Sequence, residues 1–146
     1  LVGSVIRVVM GPPSDKWGGA IWTLLSGIGH FACAIGVTFF TTPASLAEFP
    51  MFVALMIGLF LFAGIGNAST FRQIPIIFEP RQAGGVLGFT GAIAAYGPFL
   101  FSVAIGAVIG STGNPNLFFY AAAVFYAANV VLNWWFYTRK GCEKPC

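Results

Sequence analysis

The chain has 146 residues, of which 58% are hydrophobic and 8% charged, and its mean hydropathy is +0.86; soluble domains carry about 25% charged residues to keep their surfaces wet. So few charges cannot cover a water-facing surface, and the continuous apolar segments exclude a β-barrel, whose strands alternate apolar and polar. The net charge of +3 comes with no basic patch interleaved with base-stacking aromatics, so nucleic acid is not an expected partner.

Five apolar segments follow in chain order, several reaching the roughly 20 residues that cross hydrocarbon at about 1.5 Å per residue. The first, about Leu1–Gly11, starts without Met, without a cleavable signal and without a charged flank, and holds Arg7. It reads as the latter part of a transmembrane helix whose protein continues upstream. A second span covers about Gly18–Thr41 and closes on the turn signal Thr41-Thr42-Pro43. Pro50 opens a third, ending near Phe78 ahead of Glu79-Pro80-Arg81. The fourth, Gly84–Gly110, has no charged residue, and the fifth is Leu117–Tyr137. A transmembrane domain over 1–138 and a polar tail over 139–146 are the expected units. Cys33 lies in a span, whereas Cys142 and Cys146 lie in the tail with no histidine or second pair nearby, so no metal site is expected.

The loops alternate in charge. One side holds Lys16, Arg81, Arg139, Lys140 and Lys144, and the other has neither Lys nor Arg. The positive-inside rule places the first set, and the C-terminus, in the cytoplasm. Trp134-Trp135-Phe136-Tyr137 followed by Arg139-Lys140 marks a headgroup boundary, with membrane lipid as partner.

Arg7 is the most informative position. A mid-span arginine costs roughly 2.5–3.5 kcal/mol on insertion scales, and no span holds an Asp or Glu to neutralise it. Two readings stand: Arg7 snorkels or pairs with a carboxylate elsewhere in the protein, or it holds an anionic substrate. Arg72, in the third span, either snorkels or forms a gate contact, with snorkelling the expectation, and Pro75 is expected to kink the helix end. His30, a lone histidine among apolar neighbours, reads as hydrogen-bonded packing.

Gly11-Pro12-Pro13-Ser14-Asp15-Lys16-Trp17-Gly18-Gly19 resembles the loop of the major facilitator superfamily between the second and third helices of each six-helix half. The resemblance implies a tight turn at Gly11 and Gly19, Asp15 as acceptor at a helix end and Lys16 as its charged companion. Counting from that loop gives an all-α polytopic fold and about helices 8–12 of twelve. Three stretches resemble the nitrate/nitrite porters of that superfamily: Arg7 a turn ahead of the loop, Ala63–Phe71, and the glycine-rich GGVLGFTGAIAAYG at Gly84–Gly97. What this implies is transport of nitrate and nitrite by alternating access in a bacterial-type inner membrane, as antiport or as nitrate–proton symport. Arg7 would bind the anion, Phe71 would pack on it, and Asn67, Gly88 and Gly91 would line it, with a second arginine from an N-terminal half.

The chemistry suits those residues. A guanidinium is flat and offers in-plane donors to a flat monoanion, and Gly64, Asn67 and Phe71 at i, i+3 and i+7 share one helix face. Some relatives carry a small hydroxyl residue at the position of Gly91, so its hydrogen bond is either absent here or supplied by Thr90 or Asn67. Gly84/Gly88 and Gly106/Gly110 also fit helix packing through small-xxx-small pairs. The alternatives are a carrier for another small anion and a membrane-anchoring module. No nucleophile–base pair suggests an enzyme, and no cofactor is expected.

Overall fold

The computed structural model describes residues 2–144. Leu1, Pro145 and Cys146 lie outside them, and with Cys146 the question of its pairing with Cys142. The helices are α1 (Val2–Val9), α2 (Gly11–Trp17), α3 (Gly19–Thr38), α4 (Phe49–Ile77), α5 (Pro80–Thr112) and α6 (Asn116–Asn133). A 3-10 turn at Leu46–Glu48 precedes α4, and a π-helical turn at Trp134–Thr138 follows α6. Among the described residues, four helical stretches are long and apolar enough to cross a membrane: Gly19–Thr38, Leu46–Ile77, Pro80–Thr112 and Asn116–Thr138. The all-α polytopic architecture is therefore the one the composition requires.

One expectation changes. The segment Gly11–Trp17 is a short helix rather than an irregular turn. Pro12 stands at its start, where the missing N–H costs nothing, and the chain breaks instead at Gly18, whose φ of 88° is open only to glycine without strain. Pro75 lies inside α4, which continues to Ile77.

Small residues set the packing. The core centres on α3, which lies against α4 and α6, and its most buried members include Ala20, Ala34, Val37, Ala68 and Ala123. A Cβ at Gly19 would sit 2.7 Å from the Ser69 carbonyl oxygen, and one at Gly29 would overlap the Phe62 ring. Glycine at these places lets the backbones touch, which drives helix association where lipid removes the hydrophobic incentive.

Polar residues then tie the same helices together. The Gln73 amide donates to Thr23 Oγ1 at 3.2 Å and to Asn133 Oδ1 at 3.5 Å. Thr23 and Ser69 hydroxyls lie 2.8 Å apart, and Asn133 Nδ2 donates to the Ala20 carbonyl at 2.8 Å. Gln73, Ser69 and Asn133 are all buried. His30 behaves as packing: its Nδ1 lies 2.9 Å from the Ser26 carbonyl oxygen and its ring stacks on Tyr126 at 4.4 Å.

Candidate functional site

The contact of α1 with α4 builds the site, and two glycines permit it. A Cβ at Gly64 would fall 2.5 Å from the Gly3 carbonyl oxygen and 3.1 Å from Ile6 Cβ; one at Gly3 would fall 3.0 Å from the Phe60 carbonyl oxygen. Contacts advance in step along both helices, from Gly3 beside Phe60 and Gly64 to Arg7 beside Phe71 and Gly11 beside Arg72. The two helices thus run parallel. Beyond the glycines, Arg7 on α1 meets Phe71 on α4 and lines a groove together with Asn67.

The Arg7 guanidinium lies over the Phe71 ring, with Cζ 5.4 Å from the ring centroid. A cation–π contact of this kind leaves N–H donors of the guanidinium for other partners. Among the described residues the sole ion pair joins Arg72 to Asp15, so Arg7 has no carboxylate partner there. Arg7 also lines a groove of about 360 Å³ with Gly3, Ser4, Phe60, Ala63, Gly64 and Asn67. At ~30 Å³ per water in the liquid, a small hydrated ion fits. Arg7 is the one charged side chain among these lining residues.

Asn67 adds a second observation. Its Oδ1 is buried and has no hydrogen-bond partner. An orphan of this kind costs about 1–3 kcal/mol. A half-turn of the carboxamide exchanges O for NH2, presenting a donor at the same place beside the cation. Asn67 also lines the groove beside Arg7.

The other predicted positions separate. Gly91, on α5, meets the same ring, since a Cβ there would sit 3.8 Å from Phe71 Cζ. Gly88 has nothing within 4 Å of its would-be Cβ and is not brought to the groove. Gly84, Gly106 and Gly110 likewise face open space, so their small-xxx-small spacing joins no helices among the described residues. Of the two suggested replacements for a hydroxyl near Gly91, Asn67 lines the groove and Thr90 does not.

The Asp15–Lys16 expectation is corrected. The companion of Asp15 is Arg72, whose Nη1 donates to Asp15 Oδ1 at 2.9 Å, while Lys16 Nζ rests 5.5 Å from the centre of the Trp17 ring. Arg72 therefore pairs rather than snorkels. A Cβ at Gly11 would lie 3.3 Å from Arg72 Nη2, so that glycine leaves room for the guanidinium. Sequence reasoning missed this pair because 57 positions separate its members. It also missed Gly3 and Ser4, although a small residue four before Arg7 was a usable signal.

No family model matches the chain. Over all 146 of its residues it is 58% identical to "Probable nitrate/nitrite antiporter NarK2" of Thermus thermophilus, 33% of which it covers. It is 34% identical to "Nitrate/nitrite transporter NarU" of Escherichia coli (strain K12) and of Salmonella typhimurium, with 95% of this chain and 35% of each relative aligned. The chain is a homologue of nitrate/nitrite transporters. It spans about a third of the length of these relatives. The likeness agrees with the resemblance to nitrate/nitrite porters, and the four long apolar helices with a multi-pass membrane protein. The relatives are named as transporters rather than enzymes.

Proposed function

We propose that this chain forms one wall of the anion path in a nitrate/nitrite transporter that works by alternating access. The observation that carries the proposal is the Arg7 guanidinium, stacked on Phe71 and without a carboxylate, at a groove where Asn67 Oδ1 is also unpartnered. A flat monoanion would lie in the guanidinium plane and accept two parallel N–H bonds. The Phe71 face would exclude water and so strengthen those bonds. The Asn67 amide would turn its NH2 to the ion. Gly91 would keep the opposite side of the ring clear, and Gly88 would be met from outside this chain, with a second arginine supplied by the other half of the transporter.

Coupling follows from where the acids lie. The four carboxylate residues, Asp15, Glu48, Glu79 and Glu143, all stand in the short helix α2, at ends of the long helices or beyond them, so these spans hold no carboxylate proton carrier. An Arg7 left bare in a low-dielectric path would resist reorientation until an anion neutralised it. That favours exchange of nitrate for nitrite over symport with a proton, and a planar oxyanion over a larger substrate. Asp15–Arg72 would act as a latch at the end bearing Lys16 and Arg81, which the positive-inside rule assigns to the cytoplasm. The membrane would then be the bacterial inner membrane.

The test is counterflow of labelled nitrite into nitrate-loaded proteoliposomes by the transporter bearing Arg7→Lys. The lysine keeps the charge but not the planar fork. Exchange is expected to fall by at least tenfold, and wild-type exchange at wild-type affinity would refute the assigned role of Arg7.

A further inference from the structure

We propose that the Arg139 end of α6 is a built site for the headgroup of an anionic phospholipid. This inference is independent of which ion the protein carries. It begins with the π-helical turn Trp134–Thr138, an uncommon geometry in which one extra residue re-aims the side chains beyond it. The turn is pinned from inside. Asn133 Nδ2 donates to the Ala20 carbonyl on α3 at 2.8 Å and to Thr138 Oγ1 at 3.2 Å, and the Arg139 amide closes the turn on the Trp134 carbonyl at 3.0 Å.

The consequence is a guanidinium held in place before any ligand arrives. Arg139 Nε donates to the Trp135 carbonyl at 2.9 Å, and Cζ lies 4.0 Å from the centre of the Trp135 ring. The stem and one donor are thereby fixed, while both terminal nitrogens stay available. No described carboxylate pairs with Arg139, because the ion pair among the described residues is Arg72–Asp15. A planar fork with free donors matches a phosphate better than a mobile ammonium does.

The surroundings select a lipid rather than a free phosphate. Trp134, Trp135 and Phe136 are 47%, 47% and 40% exposed, offering apolar faces to glycerol and acyl chains directly beside the cation. Interfacial aromatics take that depth because one end is apolar and the other wet. The charge selects an anionic headgroup. Arg139, Lys140 and Lys144 stand against one acid, Glu143, and the cationic end of a choline headgroup would be pushed toward these bases.

The experiment is native mass spectrometry of the protein released from nanodiscs that contain phosphatidylcholine and phosphatidylglycerol. Wild type should retain phosphatidylglycerol in preference. Lys140→Gln removes one charge from the surface and should weaken retention about fivefold. Arg139→Gln also removes the fixed fork and should weaken it by more, with Arg139→Lys in between. Equal losses from Arg139→Gln and Lys140→Gln would reduce the site to diffuse surface charge and overturn the proposal, as would equal retention of the two lipids by wild type. If the Arg139 variants do not fold, quenching of wild-type tryptophan fluorescence decides: brominated phosphatidylglycerol should quench more than brominated phosphatidylcholine, and equal quenching overturns the site.

Discussion

Helices α4 and α5 are of similar length and composition, yet they relate to the chain in opposite ways. Helix α4 buries Gly64, Ile65, Ala68, Ser69, Gln73 and Ile74 against α1 and α3, whereas α5 buries only Ala83. Every interior glycine of α4 would bring a Cβ against a neighbour, while most of those of α5 would meet nothing. The same residue type thus does different things on the two helices. On α4 it sets the distance between helices, and on α5 it leaves a smooth surface, the helix meeting the chain where Gly91 nears Phe71 and where Phe101 packs edge-on against Phe118. The proposed anion contacts sit at the border between these regimes, on the side of α4 that is partnered by α1 and not yet closed.

Substitutions sharpen the contrast. The largest loss is expected from Gly64→Val, whose branched side chain must displace the Gly3 backbone; α1 would lift from α4, and both nitrite exchange and thermal stability of the purified protein should collapse. Gly106→Ala, on α5, should leave the melting temperature unchanged, and an equal fall for the two variants would erase the distinction.

Next comes Gln73→Leu. It strips the buried amide from Thr23 and Asn133, a loss of about 1–2 kcal/mol for hydrogen bonds within a membrane domain, seen as a lower midpoint in a thermal melt. A smaller stability effect than that of Gln73→Leu belongs to Asp15→Asn. An ion pair this exposed contributes about 0–1 kcal/mol, so the melt should barely move while the exchange rate changes if the pair is a latch. An unaltered rate would remove Asp15–Arg72 from the transport cycle.

Much of this fold was readable because the physics of spanning a bilayer is local: each long apolar run must satisfy its own backbone, and each becomes a helix. Family likeness and the shared face of Gly64, Asn67 and Phe71 pointed to Arg7 and Phe71 as members of one site, but with the ring against an anion rather than under the guanidinium. What stayed hidden depended on partners distant in sequence. Nothing near Asp15 points to Arg72, and nothing near Gln73 points to Asn133. Gly11–Trp17 was misread for a different reason: glycine and proline signal a turn, but prolines placed at a helix start suit it. For Gly88 the chain itself holds no contact from which to read a role.

Arg7 as the anion's ligand is best tested by binding rather than flux. A ligand held only by the folded protein raises its melting temperature in proportion to occupancy. Nitrate titrated into the purified wild-type transporter should raise the melting temperature where sulfate does not, and Arg7→Lys should lose that nitrate-specific rise while keeping a wild-type melt without anion. An undiminished nitrate-specific rise in Arg7→Lys would contradict the account.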